Sequence, residues 1–530
     1  MEVGAMNKNG DLHGGILLGE AVRQAYSGGQ TDYYMEPLVR LDSAGQPLGL
    51  VQDGDAVIFC CRRGEREIEL TEAFTEADFP HFERKQLKDL EFVILTLYHD
   101  KFKDLPVAFA PSRLDHTLGE VLSKAGKSQL RCAESEKFAH VTFFLNGGNN
   151  LPYPGEVDVR IPSPKGIPFD QVPELSLPAV ADEVIDGLQK GIDCIVTNFA
   201  NGDVIGHTSN SEAKIACAQA VDEHLARVVR VAQSEGYVTL ITADHGNLEV
   251  LLTAAGTPHV SHTSNPVPFI LIDPQASEEI QLADGSLRDI TPTILDIMGL
   301  EKHPAMAGTP LTSPREWGKD RKVLLIILDG WGEGSRDENN PIHLAQTPIW
   351  DALCRDFPLV HLHASGEAVG LQAGKPGNSE AGHMNIGAGR VVLQDDVRLD
   401  MALKDGSFSK NEVFVEAIEN VLSKGTNLHL IGLLTEKSSH GSIDYPLALL
   451  RLAKEKGLSN AFLHLIFDGR STEPGSAPAL LEKLEAEMHE IGLGTIVTAV
   501  GRGIALDRDA NYARIKKAYE AMVLGQGTPW

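Results

Sequence analysis

The chain has no surplus of positive charge. Its 47 Lys and Arg face 74 Asp and Glu, a formal net charge of −27. General nucleic-acid binders and proteins that dock on acidic membranes need a basic surface, so both classes are excluded. Any anionic ligand must be met by a local cluster of Arg or Lys. No apolar run approaches the ~20 residues that span a bilayer. Cysteine is sparse and scattered: Cys60, Cys61, Cys132, Cys194, Cys217 and Cys354 form no C-x-x-C pair. Their mostly apolar contexts predict buried free thiols in a reducing compartment. The opening MEVGAMNKNGDLHGG is polar and glycine-rich, unlike a secretory leader, and a cytoplasmic location is expected.

What is there is an ordinary globular balance, 42% hydrophobic and 23% charged over 530 residues, enough for two to four domains. Strand and helix patterns alternate almost throughout, which predicts α/β layers. Strands are expected at DAVIFCCRR, DCIVTNFA, YVTLITADHG, NLHLIGLL, NAFLHLIFDGR and TIVTAVGRG, with amphipathic helices between them. The helix NYARIKKAYEAMVLG is expected to run to the end of the chain. Pro- and Gly-rich breaks near residues 110 and 395 suggest domain boundaries.

The stretch DRKVLLIILDGWGEG, residues 320–334, carries the first chemical signal. A six-residue apolar run bounded by charge and glycine suits an interior strand of a parallel sheet. Asp329 closes that strand, at the end where α/β sheets bind their ligands. Similar acids and imidazoles follow other strands: Asp203 and His207 in NFANGDVIGH, and Asp244 and His245 in TADHGN. His259 and His262 in PHVSHTSNPVP precede one. A lone Asp at a strand end most often caps a helix or turns the chain, and a lone His is seldom a ligand. Four sites of one character weaken that explanation jointly. Asp and His suit Mn²⁺ or Zn²⁺, and this many can hold two ions ~3.5–4 Å apart, as in phosphoryl transfer. In GNSEAGHMNIGAGR, Ser379 lies in a glycine-flanked turn opening a short helix, either as a nucleophile beside a metal or simply as an N-cap. Arg62, Arg63, Arg66, Arg470, Arg502 and Arg508 follow apolar strands, where a guanidinium fork can grip phosphate or carboxylate. Lys137, in AESEKFAHVTFF, is expected to precede a strand.

Together, TADHGN, NFANGDVIGH, GNSEAGHMNIGAGR, LLIILDGWG and ESEKFAHVTFF make nearly the whole chain similar to the cofactor-independent phosphoglycerate mutases of the alkaline phosphatase superfamily. The resemblance implies two three-layer α/β domains, an alkaline-phosphatase-like metal-binding domain and a smaller transferase domain. It implies interconversion of 3-phosphoglycerate and 2-phosphoglycerate through a phosphoserine, with two Mn²⁺ ions (Co²⁺ or Zn²⁺ also suit such donors) and no bisphosphoglycerate. Asp203, His207 and His262 would hold one metal; Asp329, Ser379, Asp244 and His245 would hold the other. Lys137 would neutralise the phosphoryl group in flight. His440, Arg470, Arg502, Arg508, Arg63 and Arg66 would hold the substrate. The implied partner is a small-molecule phosphoglycerate, with no nucleic acid or membrane, and the implied state is a monomer.

The segment order differs from the usual one, in which the DGWG strand comes first. The chain resembles a circular permutant, with the metal-binding domain continuous over 113–393 and the transferase domain split into 1–112 and 394–530. Two local departures touch the glycerate side. DGRD becomes DGRS, with Ser471 in place of Asp, and SDGGVHSH becomes TEKSSHGS, which keeps His440. These leave three rivals open: a metal-dependent phosphohydrolase on the same scaffold, a phosphosugar mutase, and a catalytically inert regulator.

Overall fold

The structure is a computed structural model that describes residues 12–62, 64–111, 114–276, 280–436, 438 and 440–530. The chain forms two compact units, one continuous (Ser112–Val397) and one assembled from two stretches (Met1–Pro111 and Arg398–Trp530). Each is built on an eight-stranded, mostly parallel sheet with helices, the α/β class that the alternating pattern implies. Among the described residues, no helix is long and apolar enough to cross a membrane. The six cysteines are free thiols, five of them buried.

In the continuous unit the sheet order is Gly285–Ser286, Leu359–His363, Val267–Ile272, Val238–Thr242, Val323–Leu328, Cys194–Phe199, Gln129–Glu134 and Glu156–Ile161. The strand read from VLLIIL lies in the interior, parallel to both neighbours. Val323–Leu328, Cys194–Phe199 and Val238–Thr242 are buried along their whole length, so both sheet faces are covered. That explains uninterrupted apolar runs where a half-exposed strand would alternate. Each such Ile or Leu contributes roughly 1.5–3 kcal/mol relative to exposure.

The split unit orders its strands Thr528–Pro529, Leu38–Val39, Thr495–Gly501, Ala461–Phe467, Leu428–Leu434, Ala56–Cys60, Glu91–Thr96 and Val107–Phe109. Period two divides its core. Ala56, Ile58, Cys60, Leu428 and Leu430 pack with the helices Glu412–Lys424, Asp444–Glu455 and Ala477–Ile491. Val57, Phe59, Cys61, Ile431 and Leu433 pack with Ile68–Thr75 and Tyr512–Leu524. The unit is therefore three layers deep.

Two expectations are corrected. HVTFF is not a strand: His140–Phe144 is a π-helical turn, and the strand here is the preceding Gln129–Glu134. Its β-branched and aromatic residues favour a strand, but the chain turns directly after Glu134, with Lys137 N donating to Glu134 O, and Thr142 Oγ1 bonds back to Phe138 O at 2.7 Å. The last helix stops at Leu524 before Gly525 (φ 69°), and Thr528–Pro529 joins the sheet beside Leu38–Val39.

A buried polar row crosses the split unit's sheet. Asp55 Oδ2 lies 3.0 Å from His429 Nε2, His429 Nδ1 lies 3.0 Å from His464 Nε2, and His464 Nδ1 lies 2.8 Å from Thr498 Oγ1. The carboxylate only accepts, which fixes both rings as neutral Nε2–H tautomers with Thr498 donating last. Burial pushes His429 and His464 below the ordinary imidazole range. The unfolded chain therefore takes up these protons first. Their stabilisation is complete above about pH 6.5 and falls as pH drops below it, by at most roughly 1.4 kcal/mol per pH unit for each ring. The thermal midpoint is expected to fall between pH 7 and 5, and less steeply in His464→Gln, by circular dichroism; identical slopes would reject the linkage.

Candidate metal centre

Four neighbouring parallel strands end on one edge of the continuous unit's sheet, and each delivers a chemical group. Val238–Thr242 leads to Asp244 and His245, and Val323–Leu328 leads to Asp329. Cys194–Phe199 leads to Asp203 in the first turn of the helix Asn201–Gly206, and Gln129–Glu134 leads to Lys137. The loops meet closely. Gly330 has φ +73°, and a Cβ there would lie 2.6 Å from Asp203 N. Only glycine allows that contact.

Lys137 Nζ lies 2.6 Å from Asp203 Oδ2, 2.8 Å from Asp329 Oδ1 and 2.7 Å from Ser379 Oγ. Ser379 Oγ is also 2.9 Å from His245 Nε2 and donates to Asp329 Oδ1 at 3.3 Å. Ser379 opens the helix Ser379–Ala388 but does not cap it. Asn378 is the cap, its side chain accepting from Ala381 N at 2.8 Å, which leaves the serine hydroxyl free to turn inward.

Asp203, His207 and His262 bring donor atoms within 4.8 Å of one another, as do Asp203, His245 and Asp329. His207 and His262 approach Nε2 to Nε2 at 3.1 Å, each beside Asp203 Oδ1 at 3.2 and 3.1 Å. Their Nδ1 atoms face the carbonyls of Val260 (2.9 Å) and Gly377 (2.8 Å). A carbonyl only accepts, so each Nδ1 carries the hydrogen and each neutral ring turns a lone pair inward. Two lone pairs and a carboxylate oxygen converging on one point repel unless positive charge lies between them. His259 stays outside this group; its carbonyl accepts from Lys214 Nζ at 2.6 Å.

Charge balance points the same way. Asp203, Asp244 and Asp329 are all buried, and one ammonium faces them. Burial alone would lower Lys137, but Asp329 and Asp203 outweigh it and hold it above its ordinary value. Burial would raise Asp203, but the Lys137 ammonium holds it well below the usual range. Asp329 goes the other way, raised by burial and by the charge of Asp244. One lysine cannot neutralise three buried carboxylates. Asp244 Oδ2 also lacks a well-aligned hydrogen bond: His383 Nδ1 is 3.3 Å away, and the Ser379 carbonyl takes its hydrogen at 2.8 Å. The donor set, its excess negative charge and this orphaned oxygen fit divalent cations.

Three contributors are absent from the sequence reading. Asn198 donates to Asp329 Oδ2 at 2.6 Å and lies 3.1 Å from His383 Nε2. Asn247 donates to Asp203 Oδ1 at 2.9 Å. His383 lies one helical turn after Ser379, and its donor groups with those of Asp244 and Asp329. The i,i+4 spacing, an amide inside an apolar strand and the last letter of TADHGN were the available signals.

In the split unit, Arg66 Nη1 donates to Leu506 O at 2.9 Å, Arg502 Nη1 pairs with Asp468 Oδ1 at 2.5 Å, and Arg508 Nη1 pairs with Glu65 Oε2 at 2.8 Å. Two of these contacts join segment 65–66 to segment 506–508. His440 Nδ1 lies 3.3 Å from Glu67 Oε1. Arg470 is exposed after Ala461–Phe467, and its neighbour Ser471 bonds Ser438 Oγ at 3.1 Å. Arg63 lies outside the described residues.

A family model described as the metalloenzyme superfamily matches residues 2–302, more than half of the chain. The chain belongs to the metalloenzyme superfamily. A second model, described as the BPG-independent PGAM N-terminus, matches residues 399–529 of this metalloenzyme. Curated relatives named 2,3-bisphosphoglycerate-independent phosphoglycerate mutase align to it in Syntrophotalea carbinolica (46% identity, 56% of this chain, 57% of the relative) and Moorella thermoacetica (45%, 57% and 58%). One numbered 2 in Methanosarcina acetivorans aligns at 46%, over 55% of this chain and 56% of the relative. The metalloenzyme thus spans somewhat over half the length of these curated relatives. A solved Leishmania mexicana phosphoglycerate mutase, titled as determined at low cobalt concentration, aligns over 52% of this chain and 53% of that one, at 28% identity and TM-score 0.40.

Proposed function

We propose that this metalloenzyme interconverts 3-phosphoglycerate and 2-phosphoglycerate without bisphosphoglycerate, as the names of its relatives suggest. The observation that carries the reading is the Ser379 hydroxyl, at a helix N-terminus and within 2.7–3.3 Å of Lys137, His245 and Asp329. In this reading, Asp203, His207 and His262 hold one divalent ion and Asp329, Ser379, Asp244 and His245 a second, Mn²⁺ first, with Co²⁺ or Zn²⁺ compatible. Bound ions supply charge that eases loss of the serine proton and offsets the phosphoryl oxygens. Ser379 Oγ bonds to phosphorus as the glycerate oxygen leaves, and Lys137 faces the charge on the phosphoryl group. His440, Arg470, Arg502, Arg508, Arg66 and Arg63 retain the glycerate until its other hydroxyl takes the phosphoryl group back. We further propose that the chain is a circular permutant, monomeric and cytoplasmic, with the metal-binding domain over 113–393. A model of a family N-terminus matching 399–529, after one matching 2–302, supports that order.

An enolase-coupled assay without bisphosphoglycerate tests the activity. The expected result is 2-phosphoglycerate formation that chelator abolishes and Mn²⁺ restores. Free phosphate released faster than isomer would overturn it in favour of a phosphohydrolase, the outcome that the neutral Ser471 would favour.

A further inference from the structure

We infer that Glu249 is a positioning residue that locks three ligand-bearing segments of the metal centre into one register; the inference rests on the metal-site reading above. Glu249 is 2% exposed and lies outside the donor groups described for the centre. Its Oε2 accepts from Asn247 N at 2.8 Å and Gly332 N at 3.2 Å. Its Oε1 accepts from Thr263 Oγ1 and from Asn265 Nδ2 at 2.9 Å. Each donor belongs to a different approach to the centre. Asn247 follows Asp244 and His245, Gly332 follows Asp329, and Thr263 and Asn265 follow His262. With two donors on each oxygen, the carboxylate's lone pairs are taken, so it orients ligands and does not act as one.

The surrounding backbone is shaped to this side chain. A Cβ on Gly246 would lie 2.5 Å from Glu249 Oε1, and one on Gly332 would lie 2.5 Å from Glu249 Cδ. Two of the three segments thus omit a side chain where Glu249 passes. The segments also bond to one another, Thr263 N to Gly246 O at 2.9 Å and Leu248 N to Gly330 O at 2.8 Å, and the Glu249 carboxylate accepts hydrogen bonds from all three. Its charge adds to the negative field of the cage, but charge alone does not call for four donors aligned on the two oxygens. What it adds is hydrogen-bond geometry.

Glutamine can keep that geometry: its oxygen serves the two backbone amides, while Thr263 turns to accept and Asn265 flips. The test titrates the intact chain with Mn²⁺ and Co²⁺, recording affinity by equilibrium dialysis and ligand geometry by Co²⁺ d–d absorption. Glu249→Ala is expected to weaken binding on the order of 10–100-fold and to shift the Co²⁺ bands. Glu249→Gln is expected to restore both. Unchanged affinity and bands in Glu249→Ala would overturn the inference, as would a glutamine variant no better than alanine. If Glu249→Ala does not fold, Thr263→Val decides, since loss of one donor should weaken binding and move the bands; unchanged values would overturn the inference. Asp203→Asn in the same titration separates the two levels. Metal retained there sinks the site reading itself.

Discussion

Ser379→Ala should cut turnover of 3-phosphoglycerate by a factor on the order of 10⁴–10⁶, the scale of losing a covalent nucleophile. The loss should be chemical, not structural. The helix keeps its Asn378 cap, and alanine at its first position is well tolerated. Lys137 keeps its contacts with Asp203 and Asp329. The thermal midpoint should therefore stay close to that of the unsubstituted chain while the enolase-coupled rate disappears. Mass spectrometry after brief exposure to substrate should detect a phosphorylated peptide spanning Ser379 in the unsubstituted chain and none in the variant. A variant that still turns over would remove the serine from the reaction.

Lys137→Met should have the largest effect on stability. The ammonium touches two buried carboxylates and stands 2.7 Å from the serine hydroxyl. Removing one partner of a buried ion pair costs about 3–5 kcal/mol, because the remaining charge is left uncompensated in a poor solvent. In chelator, therefore, the unfolding midpoint should drop sharply. Divalent cation should recover much of the loss by balancing Asp203 and Asp329, while the rate stays down roughly 10²–10³-fold for want of a charge at the phosphoryl group. Equal stability of the two chains in chelator would contradict the charge argument.

The residues most legible in the sequence share a physical signature. Asp329, Asp203 and Asp244 stand where unbroken apolar runs stop, and parallel register carries such ends to one edge. Glu249 and Asn198 were harder, because their meaning lies in partners distant in sequence: Asp329 is 131 residues from Asn198, and Gly332 is 83 from Glu249. HVTFF misled because side-chain preference favoured a strand where the chain needed a turn. The cap of the Ser379 helix fell one residue earlier than the serine, a shift that local pattern does not resolve. The arginines were legible as strand-end cations, but their pairing with Asp468, Glu65 and the Leu506 carbonyl follows from segments that the linear order keeps far apart.

The divided unit also has a consequence for how the polypeptide is made. Ala56–Cys60 finds one neighbour nearby in Glu91–Thr96, but its other neighbour, Leu428–Leu434, is synthesised much later. At ~5–20 residues per second, that wait lasts on the order of tens of seconds. Throughout it, AVIFC presents an unpaired, apolar edge on the nascent chain, while the continuous unit can close around its own core. The ribosome-bound intermediate is thus one finished body trailing an incomplete sheet, and that open edge is the natural place for a chaperone to hold.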